Sequence, residues 1–253
     1  MKAPSLHVVP CLSDNYAFVL FYENQALVID PGDAGPVSAV LKRYAPESVL
    51  VVLTHYHHDH IGGVSALRKQ FQVTLGGPLP APWPLDQAFT LDEPYAWNGL
   101  DVQVMATPGH AFPHVAYYFP RPGWLFSGDC LFGAGCGRLA GDVAPVLWHS
   151  LQRLATLPES TLVYFGHEYT LSNLAFAAAM EPDNPAIARR RTEVEQRLLH
   201  GDYGAPSTMA EEKATNPFLR TDEPSIRRAL GLASASAVDV FAALRAAKNV
   251  FPG

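Results

Sequence analysis

The chain has 253 residues, 48% apolar and 17% charged, and its 24 acidic against 18 basic side chains give a formal net charge of −6. That length suits one large or two smaller domains, and the mild acidity without a basic block argues against a nucleic-acid-binding surface. No run of about eighteen apolar residues offers a membrane span, Met1-Lys2-Ala3-Pro4 has no signal-peptide pattern, and the three cysteines, Cys11, Cys130 and Cys136, have no framework spacing, so a reducing cytoplasm is expected.

Short strands are expected at residues 8–10, 16–22 and 25–30, with Asn15 and Asn24 at the turns. Asp30-Pro31-Gly32-Asp33 breaks the third strand, and residues 37–43 form a helix. Val49-Leu50-Val51-Val52-Leu53 is an unbroken run of branched aliphatics, the pattern of a buried strand. It delivers the chain into Thr54-His55-Tyr56-His57-His58-Asp59-His60, and Gly62-Gly63 then opens a helix that continues to Phe71. Histidine is the commonest side-chain metal ligand. On an extended segment His55 and His57 point the same way, because side chains repeat every two residues. Asp59 and His60 fall where the turn begins to coil and face a neighbouring ion, while His58 points away. Two nitrogens for one ion and a mixed pair for another suit a dinuclear hydrolytic site.

Residues 73–75 form a short strand, and the prolines at 78, 80, 82 and 84 make 76–94 a rigid connection without regular structure. Strands follow at 100–106, ending in Thr107-Pro108-Gly109-His110, and at 115–119. His110 is a third nitrogen donor beside the cluster, and His114, four residues on, is structural. The strand 124–127 ends in Gly128-Asp129, where a carboxylate bridges two cations; the strand 162–165 ends in Gly166-His167, which completes the second set. Residues 146–154 form a helix that leaves His149 in solvent. Cys136, in the glycine-rich stretch 133–139, reads as a small buried residue.

After Tyr169 the character changes. Residues 171–180, 186–199, 224–230 and 236–248 read as helices, Thr208-Met209-Ala210-Glu211 has capping-box form, and no strand pattern occurs. The expected division is therefore 1–170, carrying the chemistry, and 171–253, a helical region. Arg245 and Lys248 lie three apart and share a helix face, which suits either two substrate carboxylates or a solvated basic helix end.

The histidine-aspartate turn after a buried strand resembles the metallo-β-lactamase superfamily, an α/β fold of four αββα layers. Within it, Gly135-Cys136-Gly137-Arg138, Phe165-Gly166-His167-Glu168-Tyr169-Thr170, Asn216-Pro217-Phe218 and the helical tail resemble the hydroxyacylglutathione hydrolases, or glyoxalase II enzymes. That resemblance implies hydrolysis of S-(2-hydroxyacyl)glutathione, such as S-D-lactoylglutathione, to glutathione and D-lactate, the second step of methylglyoxal detoxification. It implies two divalent ions, zinc as first choice with iron or manganese admitted by the same donors. His55, His57, His110 and Asp129 would hold one; Asp59, His60, Asp129 and His167 the other, with Asp59 and Asp129 bearing on catalysis through a water shared by the ions. Glutathione contacts fall on Arg138, Tyr169, Arg245 and Lys248, and Asp30 supports the metal turn. Ala140 stands where many relatives carry an aromatic, which removes one wall of the glutathione site. The expected partner is a small-molecule thioester, met by a monomer, with neither nucleic acid nor membrane. Two other chemistries share such a scaffold: lactone or β-lactam hydrolysis on the same site, and persulfide dioxygenation at a single iron.

Overall fold

The computed structural model describes residues 4–252. The backbone forms two compact units. One takes in the chain up to Ala106 together with Pro113–Gly128; the other comprises Thr107–Phe112 and everything from Asp129 onward. These cuts differ from the division at residue 170 expected from the change in composition.

The first unit contains strands β1 (Ser5–Cys11), β2 (Asn15–Tyr22) and β3 (Gln25–Ile29), helix α1 (Ala34–Tyr44), β4 (Ser48–Val52), a single turn α2 (His58–Ile61), α3 (Val64–Gln70), β5 (Val73–Pro78), β6 (Gln87–Phe89), β7 (Pro94–Trp97), β8 (Leu100–Ala106), β9 (Val115–Phe119) and β10 (Trp124–Gly128). Strands β1 to β6 lie side by side in chain order, antiparallel through β3 and parallel from β3 to β6. The switch follows from the connections. Glu23 and Asn24 both take positive φ (45° and 65°), the two-residue turn that returns a strand beside itself. Between β3 and β4 the chain instead crosses through α1, which leaves the two strands parallel. Asp33 caps α1 by accepting from Gly35 N. Val19, Val28, Val51 and Leu75 of the sheet, with Leu53 just past β4, meet Leu41 and Leu67 of the helices in one apolar cluster. Strands β7 to β10 are antiparallel neighbours in turn. On β8 buried Val102 and Val104 alternate with exposed Asp101 and Gln103, as expected of a sheet with one wetted face.

The second unit holds β11 (Leu131–Phe132), β12 (Gly135–Cys136), α4 (Ala144–Ala155), β13 (Leu162–Phe165), α5 (Thr170–Met180), α6 (Pro185–Leu199), β14 (Ser207–Thr208), α7 (Met209–Thr215), a 3-10 turn (Pro217–Leu219), α8 (Pro224–Ala229) and α9 (Ala237–Val250). Leu174 and Ala177 of α5 pack on Ile187 and Val194 of α6. The capping box at α7 forms as read: Thr208 Oγ1 accepts from Glu211 N, and the Glu211 carboxylate accepts from Thr208 N. Cys11, Cys130 and Cys136 are free and buried. Burial pushes the Cys130 thiol well above its usual range and Cys136 up to about 11, the latter against the opposing pull of Arg245. No helix among the described residues is long and apolar enough to cross a membrane.

Two segments depart from the sequence expectation. The stretch 76–94 is partly regular: β5 runs to Pro78, β6 spans Gln87–Phe89 and β7 begins at Pro94. Proline removes one donor, which a strand end tolerates, and Pro78 and Pro94 stand at strand ends. The helical region also carries the two-residue β14, which pairs with β13 through Leu162↔Thr208 and Val163↔Ser207. Two residues are too few to leave an alternating pattern.

Candidate metal centre

In the first unit the donors gather where β4 ends. Thr54 and His55 are fully buried, His60 is almost so, and His57 and His58 are exposed. Asp30, at the end of β3, organises them. Its Oδ1 accepts from Thr54 N (2.7 Å), and its Oδ2 accepts from Thr54 Oγ1 (2.6 Å) and lies 3.0 Å from His60 Nδ1. Thr54 Oγ1, having given its proton to Asp30, accepts from His55 Nδ1 at 3.0 Å. A buried carboxylate therefore fixes the proton on Nδ1 of both His55 and His60, and their Nε2 lone pairs are left to a cation. Donor atoms of Asp30, His55 and His60 all lie within 4.8 Å of one another. Asn15 Nδ2 holds Asp59 Oδ2 at 2.9 Å, and the same oxygen lies 3.6 Å from His60 Nε2. The ring of His114, also buried, packs 5.0 Å from that of His55.

The backbone is tailored to this approach. Asp30 has φ +50°, a left-handed conformation that a non-glycine residue keeps only where its surroundings enforce it. The turn after it lies against the metal turn so closely that a Cβ on Gly32 would sit 1.9 Å from Asp59 O, and one on Gly63 2.6 Å from Pro31 O. The glycines after the histidines thus serve close packing of two turns, as well as opening α3.

In the second unit Asp129, buried, directs Oδ2 at two imidazoles: His110 Nε2 at 3.4 Å and His167 Nε2 at 3.3 Å. The other nitrogen of His110, Nδ1, lies 3.0 Å from Arg138 O, which fixes that ring's tautomer in the same sense. Imidazole nitrogens and carboxylate oxygens, with no cysteine in the donor groups among the described residues, are a donor chemistry that fits divalent metal ions of the zinc, iron and manganese group.

The residues expected to meet glutathione also lie in this unit. Tyr169 is 38% exposed and stacks on His167 with centroids 4.9 Å apart and planes 7° from parallel. Arg138 is exposed. Arg245 is buried (5%), donates to Cys136 O (2.8 Å) and lies over the Phe218 ring. Lys248 donates to Ser172 O (3.1 Å) and Oγ (2.9 Å). Burial and the Arg245 charge hold its amine down to about 8. Neither cation has a carboxylate partner among the described residues; their acceptors are two carbonyls, a thiol and a hydroxyl group. Two such cations on one helix face raise the local positive potential.

Comparison with known proteins fits this picture. The Metallo-beta-lactamase superfamily matches residues 12–167, and the Hydroxyacylglutathione hydrolase C-terminus matches residues 168–251. The hydroxyacylglutathione hydrolase of Aeromonas hydrophila is 42% identical over 250 residues, covering 96% of this chain and 98% of its own; that of Rhodopseudomonas palustris is 38% identical over 252 residues, covering 98% and 99%. Among solved structures, ETHE1 from Myxococcus xanthus matches with TM-score 0.66 and 26% identity over 96% of this chain and 97% of that one. TTHA1623, solved in a di-iron-bound form, matches with TM-score 0.59 and 26% identity over 84% and 98%. With both descriptions matched end to end and such relatives aligned over nearly their whole length, the chain belongs to the hydroxyacylglutathione hydrolase family of the metallo-β-lactamase superfamily.

Proposed function

We propose that this chain hydrolyses the thioester of S-(2-hydroxyacyl)glutathione, S-D-lactoylglutathione among them, to glutathione and a 2-hydroxy acid. The observation that carries the reading is the alignment, over 98% of its own length, with a hydroxyacylglutathione hydrolase at 42% identity. The donor geometry agrees with it.

In this reading His55, His57, His110 and Asp129 hold one divalent ion, and Asp59, His60, Asp129 and His167 hold a second, zinc being the first choice. Such ions, when bound, polarise a carbonyl and lower the pKa of water toward roughly 7. The chain's own contribution is to keep the donors in the right protonation state. Asp30 and Thr54 hold His55 and His60 with Nδ1 protonated, and the Arg138 carbonyl does the same for His110. Asn15 orients Asp59. No general acid is needed for the leaving group, because a thiol with pKa about 8.5 departs as its thiolate. Arg245 and Lys248 supply charge for glutathione carboxylates, Arg138 adds a third cation, and Tyr169 places an aromatic face beside His167. Residues 1–170 thus carry the chemistry, with Arg138 and Tyr169 beside it, and 171–253 bring Arg245 and Lys248 to the recognition of glutathione, in a cytoplasmic monomer.

The test is a thioester assay on metal-analysed protein, following thiol release from S-D-lactoylglutathione. Absence of thiol release from protein carrying its metal, with turnover of a lactone or β-lactam instead, would overturn the assignment.

A further inference from the structure

The hairpin β11–β12 has the tip Gly133-Ala134, and Ala134 sits at φ +53°. A non-glycine residue there needs outside support. That support comes from the helical region. Glu212, fully buried on α7, accepts from Ala134 N at 2.9 Å through Oε2. The same Oε2 accepts from Asn216 Nδ2 (3.0 Å), while Oε1 accepts from Ser207 Oγ (2.7 Å) and from Arg190, itself buried. Asn216 Nδ2 also donates to Gly135 O (3.0 Å), and Asn173 Nδ2 to Gly133 O (3.0 Å). Arg245 completes the set on Cys136 O. Four successive residues of the hairpin are therefore each gripped by a helical-region side chain. Glu212 is the only carboxylate in these contacts.

We propose that Glu212 is a positioning residue for glutathione binding: it holds the Phe132–Cys136 hairpin in the shape that presents Cys136 O to Arg245 and sends the chain on to Arg138. The inference rests on the proposed glutathione contacts of those two cations. A buried carboxylate suits the task because it accepts from four donors at once, and the Arg190 guanidinium balances its charge. The metal end of the segment has its own anchors, Gly137 N to Cys130 O (3.3 Å) and His110 Nδ1 against Arg138 O. Glu212 touches neither, so loosening the tip leaves the donor set in place.

Glu212→Gln keeps the shape but turns an amide N–H toward groups that are themselves donors. Asn216→Ser removes the donation to Gly135 O, retains a hydroxyl to cap the 3-10 turn, and leaves the Arg190–Glu212 pair intact. Glu181→Gln is the control: Glu181 is also buried, pairs with Arg220 and Ser225, and does not touch the hairpin. Steady-state kinetics on S-D-lactoylglutathione, with bound metal quantified and folding checked by circular dichroism, decide the matter. We expect KM to rise about tenfold in Glu212→Gln and about fivefold in Asn216→Ser, with kcat within about twofold and metal content unchanged. Glu181→Gln should melt earlier at an unchanged KM. If Glu212→Gln does not fold, Asn216→Ser carries the test. An unchanged KM in a folded variant, or an equal rise in Glu181→Gln, would overturn the proposal alone; lack of hydrolysis by the unsubstituted chain would overturn the functional reading together with it.

Discussion

Replacing Asp30 by asparagine tests the protonation argument at its root. In the folded chain the Asp30 carboxylate is 3% exposed and receives Thr54 N, Thr54 Oγ1 and His60 Nδ1 at 2.7, 2.6 and 3.0 Å. Asparagine keeps one oxygen, enough for Thr54 N, but puts two N–H donors where Oδ2 stood. The Thr54 hydroxyl must then accept from the amide and donate to His55 Nδ1; His60 Nδ1 must likewise become an acceptor. Both imidazoles move their proton to Nε2, the atom a cation needs. Losing one such outer partner of a metal ligand costs about 10–100-fold in metal affinity. With two histidines affected, we expect the upper end, about a hundredfold or about 2.8 kcal/mol. Competition with a chromophoric chelator measures the zinc affinity of both proteins, and circular dichroism establishes that the variant is folded. A second reading comes from melting: the gain in Tm on adding zinc should shrink in Asp30→Asn. Folded Asp30→Asn protein binding zinc within about threefold of the parent would refute the tautomer assignment.

Asp129→Ala should lower hydrolysis by more than about a hundredfold together with metal content, since one carboxylate oxygen faces both His110 and His167; full activity with two metals retained would end the bridging assignment. Gly63→Ala puts a Cβ 2.6 Å from Pro31 O and should destabilise by about 1–3 kcal/mol, a Tm loss of at least about 2 °C by calorimetry. The Lys248 amine, held down to about 8 by burial and Arg245, is charged below that pH and neutral above it. KM should therefore rise as pH passes about 8, and in Lys248→Arg the rise should vanish. Stability moves the other way: the folded chain disfavours the charged amine, so the penalty is fully present below about 8 and fades as pH climbs toward the ordinary lysine value of 10.5, which denaturant titrations at pH 7.5 and 10 would register.

Much of the site was written along the chain because each candidate donor follows a strand with a clear apolar pattern, and a strand end is a place sequence can locate. His55, His60, Asp129 and His167 are of this kind. From its own pattern Asp30 was legible only as a turn aspartate, because its role depends on the approach of β3 to β4. Glu212 gave no signal at all. It follows Glu211, whose capping role the sequence does announce, and only burial tells the two carboxylates apart. Arg245 and Lys248 read as a basic face; their neutral partners and the burial of Arg245 emerge only once α9 is packed. The prolines of 76–94 misled in the opposite direction, since their cost depends on whether a ladder needs the missing N–H, which neighbouring strands decide.

The interior placement of Cys11, Cys130 and Cys136 bears on how such a catalyst fares under oxidative stress. Its reaction liberates glutathione, a nucleophile in constant exchange with its own disulfide. Mixed-disulfide formation requires an accessible thiolate, and all three sulfurs are shielded, with burial pushing each toward its protonated form. The chain therefore gives oxidised glutathione no exposed sulfur to cap.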